Sequence, residues 1–249
     1  MKNLIKKILQ KYDYDINKIN IKIPSDFEEL HGDIFRKVAN YTMTSPERIF
    51  CLIEAIKYIE KNKIEGEIVE CGVWKGGSMM AVAETLKTYN SFSRELYLYD
   101  TFEGMSEPTE VDKTHFGKDA ASLLKKNENK ETNPVWAYSR LEAVQGGMNT
   151  TGYTENKIKY IKGKVEDTIP TTTPSKIAVL RLDTDWYEST RHELIHLFPL
   201  LTVGGVLILD DYGYWQGARK AADEYFKENN IQILLNRIDE TGRIAIKQF

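Results

Sequence analysis

The stretch "EIVECGVWKGGS", residues 67–78, decides the fold. It runs from apolar residues through Glu70 and Gly72 into Gly76, Gly77 and Ser78, the pattern of a buried strand that turns through glycines into a helix. A dinucleotide turn would read Gly-x-Gly-x-x-Gly, so that backbone amides and the helix start meet a pyrophosphate. Here three residues separate Gly72 from Gly76, and Glu70 ends the strand with a negative charge that repels phosphate and attracts an ammonium group. The turn is therefore read as a site for a cationic or zwitterionic ligand. S-adenosylmethionine has a sulfonium, an α-ammonium and no phosphate, and needs close backbone approach at glycine. Glu70 would bind its amino-acid end. Asp100 closes the next strand, 28 residues after Gly72, where it could accept both ribose hydroxyls. Taken alone, that acid fits a nicotinamide cofactor equally well.

Outward from this turn, "PERIFCLIEAIKYIEKN" (46–62) spaces Ile49, Leu52, Ile53, Ile56 and Ile59 as a helix, with Pro46 in its first turn and Ser45 as cap. After the turn come a helix over 76–89 and a strand "ELYLYD" (95–100). Strands are then expected at "KIKYIKG" (157–163), at the sheet edge, and "KIAVLRLD" (176–183), central and buried. A helix follows over 189–201, then a strand "GGVLILDDYG" (204–213) and an amphipathic helix over 217–230. "IQILLNR" (231–237) and "RIAIKQF" (243–249) flank Glu240-Thr241-Gly242 and predict an antiparallel hairpin. The alternation gives an α/β fold: a doubly wound, mostly parallel, Rossmann-like sheet with an antiparallel C-terminal edge and N-terminal helices. One domain over 1–249 is expected, with a helical cap over 1–65 and a lid or insertion over 105–140, where "KKNENKETN" is too polar and long for an ordinary connection.

Composition narrows the function classes. Hydrophobic residues make up 41% and charged residues 29%, and 34 basic against 37 acidic side chains leave a charge of −3. No general positive field exists to hold nucleic acid. Cys51 and Cys71 lack metal-ligand spacing and are read as free thiols in a reducing, cytoplasmic setting. The start, "MKNLIKKILQKYDYDINKI", is helical in pattern, lacks the features of a secretory signal, and could at most touch a membrane surface through Leu4, Ile5 and Ile8. No apolar run is long enough to span a membrane.

"RLDTDWYEST" and "LILDDYG" end two parallel strands and bring Asp183, Asp185, Asp210 and Asp211 to the edge that carries the glycine turn. Clustered carboxylates repel unless a cation neutralises them, and an oxygen-only set suits Mg²⁺ or a similar hard ion. Such an ion could hold a substrate hydroxyl and lower its pKa. Helix capping by Asp183 and Asp210 is the plain alternative.

These stretches together resemble the macrocin and mycinamicin sugar O-methyltransferases. The residues that carry the likeness are "YTMTSPERI" (41–49), "ECGVWKGGS" (70–78), "DTFEGM" (100–105), "VEDTIP" (165–170), "DTDWYEST" (183–190) and "GGVLILDDYG" (204–213). The resemblance implies Mg²⁺-dependent transfer of a methyl group from S-adenosylmethionine to a sugar hydroxyl, in a homo-oligomer with mobile lids. Carried over position by position, it puts Glu70, Gly72, Gly76, Gly77 and Ser78 around the methionine moiety. Asp100, Thr101 and Phe102 meet the ribose and adenine, Glu166 and Asp167 the adenine edge, and Thr42 and Met43 close over the cofactor. Asp183, Asp210 and Asp211 become the metal ligands, with Asp183 also catalytic and Asp185 able to replace it. The family pattern also uses a general base near the lid, where His115 in "DKTHFGKDA" (112–120) is the one histidine.

The 105–160 region matches the antibiotic enzymes weakly, so no macrolide acceptor is implied; a polysaccharide, a nucleotide-linked sugar or another glycosylated metabolite is expected. Three rivals remain at this level: a catechol- or phenol-type metal-dependent O-methyltransferase, a noncatalytic cofactor-binding scaffold, and a nicotinamide dehydrogenase.

Overall fold

The structure, a computed structural model, describes residues 23–126 and 129–248. The helical reading of the first nineteen residues therefore lies outside the described residues. Among the described residues two helices precede the sheet, α1 (Glu29–Val38) and α2 (Pro46–Lys61). Ser45 caps α2 as its sequence position predicts, accepting the Arg48 amide at 3.2 Å, and Pro46 fills the first turn.

The sheet has seven strands: β1 (Glu67–Cys71), β2 (Leu96–Asp100), β3 (Ile158–Lys162), β4 (Ile177–Leu182), β5 (Leu201–Leu209), β6 (Asn236–Arg237) and β7 (Arg243–Ile246). Across the sheet they run β3-β2-β1-β4-β5-β7-β6. The first five are parallel, and β7 lies antiparallel between β5 and β6. The remaining helices are α3 (Gly77–Thr88), α4 (Ala120–Lys126), α5 (Leu141–Thr150), α6 (Val165–Thr168), α7 (Tyr187–Leu197) and α8 (Gln216–Glu228).

Both faces of the sheet are covered, as parallel strands require. One face packs Ile53 and Ile56 of α2 and Leu86 of α3 against Ile68, Leu98 and Val179. The other packs Leu194 and Leu197 of α7 and Ala222 and Phe226 of α8 against Val69, Leu180 and Leu207. Every residue of β4 is buried, including Arg181. Among the described residues no helix is long and apolar enough to cross a membrane.

One expectation changes in detail. Only Asn236 and Arg237 of the 231–237 stretch join the ladder. Ile231, Ile233 and Leu235 instead press their alternate side chains onto the second core, while Leu234 is exposed. The described residues of the 105–140 stretch pack onto the domain. Its Asp112 is fully buried and accepts the Thr109 and Tyr187 amides at 2.7 and 2.8 Å, and α4 packs Ala120 and Leu124 against Trp186, Trp215 and Ala218.

Candidate functional site

The glycine turn follows from where two strand ends meet. Gly72 has φ +83°, and a Cβ there would stand 1.9 Å from the Asp183 carbonyl oxygen, so the ends of β1 and β4 approach as only glycine allows. At Gly77 a Cβ would meet the Tyr41 carbonyl at 2.5 Å. Five amides of the turn, those of Gly72, Val73, Trp74, Gly76 and Gly77, are already engaged. Gly72 donates to Tyr99 O at 2.9 Å, Gly76 to Val73 O at 2.8 Å and Gly77 to Tyr41 O at 2.9 Å. Val73 and Trp74 donate to Asp100 Oδ2 at 2.7 and 3.1 Å, and Phe102 to Asp100 Oδ1 at 2.6 Å. Phosphate cradles present free amides to the ligand; these have protein partners. Asp100 thus pins the turn through Oδ2 and its own following loop through Oδ1, a structural duty beside its expected contact with ribose. Burial raises its pKa, and those three amides oppose the rise.

Beneath the turn lies a buried charge hub. Arg181 Nη1 donates to Glu70 Oε1 at 2.6 Å and to Asp183 Oδ2 at 2.8 Å, and its Nη2 donates to Asp210 Oδ1 at 2.6 Å. Burial disfavours the Arg181 charge, yet these acids outweigh it and hold the guanidinium protonated. Arg48 approaches from α2: its Nη1 donates to Asp210 Oδ2, and its Nε lies 2.9 Å from Asp239 Oδ2 without hydrogen-bond alignment. Glu70 is 1% exposed, and its second oxygen, Oε2, is buried with no hydrogen-bond partner among the described residues. Burial pushes the Glu70 carboxyl up to about 7, against the pull of Arg181.

The expected carboxylates converge. Asp183, Asp210 and Asp211 each place an oxygen within 4.8 Å of the others. Burial and mutual repulsion hold the Asp183 and Asp211 carboxyls well above the ordinary range, with Arg181 opposing at Asp183. Asp185, at φ +67°, donates its amide to Asp211 Oδ2 at 3.2 Å, and burial with the nearby Asp183 pushes its own carboxyl up to about 7. Five acids here, Glu70, Asp183, Asp185, Asp210 and Asp211, face two guanidinium groups.

A cavity of about 500 Å³ opens over this edge of the sheet. Thr42, Met43, Gly72, Gly77, Ser78, Asp100, Thr101 and Glu166 line it, as do all four aspartates and Arg48 and Arg181. Five of the expected residues stand outside the wall, the buried Glu70 among them. Gly76 is the left-handed residue that starts α3, and Phe102 is buried at φ +52°. Asp167 is exposed beside Glu166. His115 is exposed, with its ring 5.3 Å from that of Tyr214, which does line the cavity.

Sequence reasoning missed the two arginines and Glu193. Arg181 was readable in principle, because a lone charge inside the apolar run "IAVLRL" can stay buried only with acidic partners. Arg48 carried no such local signal. Glu193, on α7, is fully buried and accepts the Thr184 hydroxyl at 3.0 Å, beneath the turn that carries Asp183 and Asp185. Burial raises its pKa well above the ordinary value, with Thr184 opposing.

The chain is 30% identical over 244 residues to the 8-demethyl-8-(2,3-dimethoxy-alpha-L-rhamnosyl)-tetracenomycin-C 4'-O-methyltransferase of Streptomyces olivaceus, covering 96% of this chain and 89% of that one. It is 30% identical to the mycinamicin III 3''-O-methyltransferase of Micromonospora griseorubida, over 85% of this chain and 80% of the relative. The solved structure of the O-methyltransferase NovP superposes with a TM-score of 0.72 at 28% identity, covering 84% of this chain and 83% of that chain. The sequence pattern of the macrocin-O-methyltransferase (TylF) family matches residues 7–246, and the chain belongs to that family of O-methyltransferase enzymes.

Proposed function

We propose that this enzyme transfers the methyl group of S-adenosylmethionine to a hydroxyl of a sugar, with a divalent cation held by Asp183, Asp210 and Asp211. The observation that carries the reading is that those three carboxylates and the glycine turn open onto one cavity. The residues suit both groups. Gly72, Val73, Trp74, Gly76 and Gly77 commit their amides to protein oxygens, which disfavours a phosphate cradle, and Glu70, buried outside the cavity wall with Oε2 unpartnered, adds an acidic group at the strand end that favours a cationic ligand. Oxygen-only ligands with an excess of acid over arginine suit a hard divalent ion. The donor would supply an electrophilic methyl on a sulfonium, and the ion would lower the pKa of the acceptor hydroxyl.

The other roles fall to this chain's side chains. Thr101 and Glu166, which line the cavity, would meet the nucleoside, and Thr42 and Met43, also in its lining, would close over the cofactor. Asp185 lines the cavity beside the ligand set and is the carboxylate suited to take the hydroxyl proton, whereas His115 stands behind Tyr214. Residues 105–140 lie on the acceptor side, where Met105, Val135 and Ala137 reach the cavity, and serve as the lid. A sugar acceptor draws on the relatives, whose names specify a rhamnosyl tetracenomycin and mycinamicin III. A homo-oligomer working in the cytoplasm completes the reading.

The test is formation of S-adenosylhomocysteine with a panel of sugar nucleotides and glycosides, with Mg²⁺ and with chelator. Turnover with a sugar that chelation abolishes is expected. Turnover restricted to catechols would replace the acceptor class, and turnover indifferent to chelation would remove the cation.

A further inference from the structure

Each oxygen of Asp210, one of the three grouped carboxylates, already holds a guanidinium: Oδ1 accepts from Arg181 and Oδ2 from Arg48. The two arginines are not equivalent. Arg181 rises from the central strand, its side chain is 5% exposed, and three acids fix it in place. Arg48 comes from the first turn of α2, lines the cavity, and has a second acid to turn to. That acid is Asp239, on the turn between β6 and β7, 2.9 Å from Arg48 Nε. Asp239 is itself anchored, accepting from the Ser45 hydroxyl at 2.6 Å and from the Thr241 and Gly242 amides at 2.9 and 2.7 Å. The Arg48 Nε proton lacks an aligned acceptor, so a fuller contact with Asp239 is open to it.

We propose that Arg48 is an internal competitor for the divalent cation: its guanidinium and the ion claim the same oxygen of Asp210, and loading of the ion shifts Arg48 onto Asp239. The proposal rests on the cation reading above. A monovalent and a divalent cation on one carboxylate oxygen repel strongly in a site largely shielded from water. Arg181 cannot yield, since leaving would strand Glu70 without its counter-charge, so Arg48 is the group that gives way. The same exchange links cation loading to the segment over the cofactor end. Thr42, Met43 and Thr44 line the cavity just ahead of Ser45, which both caps α2 and binds Asp239.

The test is Mn²⁺ titration calorimetry on the wild type, Arg48→Met and Arg48→Lys. A competitor and a support predict opposite signs. Loss of the charge in Arg48→Met is expected to tighten Mn²⁺ binding by about tenfold, the order expected for removing a unit charge a few ångströms from a divalent ion. Arg48→Lys keeps the charge and is expected to stay nearer the wild type. Equal or weaker Mn²⁺ binding by Arg48→Met would overturn the proposal while leaving the cation reading intact. Absence of Mn²⁺ binding in all three chains would overturn both. Should Arg48→Met fail to fold, a crystal structure of the wild type grown with Mn²⁺ decides: Arg48 moved from Asp210 to Asp239 supports competition, and an unbroken Arg48–Asp210 pair beside bound Mn²⁺ refutes it.

Discussion

Arg181 Nη1 on β4 stands 2.6 Å from Glu70 Oε1 on β1, with neither side chain more than 5% exposed. The pair joins the two central strands at the end that carries the glycine turn, so the hub supports the fold and the site together. Replacing Arg181 with Met leaves Glu70, Asp183 and Asp210 facing one another without their shared partner. A loss of about 3–5 kcal/mol is expected, the usual result of removing one member of a buried ion pair. Urea denaturation checks this, with Lys176→Ala as control, because the Lys176–Glu65 pair is exposed and its loss should leave stability unchanged within error.

Gly72→Ala should be more damaging than its size suggests. The backbone there is left-handed, and the new methyl would press on the Asp183 carbonyl. A cost of about 2 kcal/mol or more is expected from conformation and crowding combined. Since the displaced atom belongs to a proposed cation ligand, Mn²⁺ affinity should fall as well. Denaturation and calorimetry on one sample would check both effects, and an unchanged Mn²⁺ affinity would separate the turn from the carboxylates.

Asp100→Asn tests the engagement of the turn amides. An asparagine keeps one acceptor oxygen and presents an NH₂ group where backbone amides also donate, so at least one amide of Val73, Trp74 or Phe102 loses its partner. A stability loss of about 1–3 kcal/mol is expected from a buried unpaired donor. S-adenosylmethionine affinity should fall through disorder of the turn. Retained stability with lost affinity would make Asp100 a ligand contact alone.

Glu193 supplies a pH signature. Burial holds its folded-state pKa well above the ordinary glutamate value of 4.5, so the folded protein holds a proton that the unfolded chain releases. The stability tied to that proton is full below 4.5 and declines as pH rises towards the folded-state value. Glu193→Gln cannot titrate and still accepts the Thr184 hydroxyl. The stability of Glu193→Gln relative to wild type should therefore rise between pH 4.5 and pH 8. Paired urea melts across that range check it; a difference independent of pH would mean that Glu193 is ionised in the fold.

Much of this was legible in the sequence, for a geometric reason. In a parallel sheet all strands point the same way, so acids at the ends of "KIAVLRLD" and "GGVLILDD" arrive at the edge that carries Gly72 whatever the loops do. The pairing within that edge was not legible. Arg48, Glu70, Arg181, Asp210 and Asp239 are spread over nearly two hundred positions, and no local period records which of them touch. The bonds of Asp100 to the Val73, Trp74 and Phe102 amides were not legible for a related reason, since the partner of a strand-end acid depends on backbone directions in the loop it faces. At 231–235 the alternation of Ile231, Ile233 and Leu235 did report burial, but side-chain burial and strand pairing are separable, and here only the first occurs.

The engaged amides of the glycine turn bear on metabolite discrimination. ATP and NAD share adenosine with the proposed methyl donor, and both carry anionic phosphates. At this turn they would find the nearby donors committed to Tyr41, Val73, Tyr99 and Asp100, with acids beyond. Main-chain connectivity at Gly72, Val73, Trp74, Gly76 and Gly77 therefore weighs against a polyphosphate at the turn.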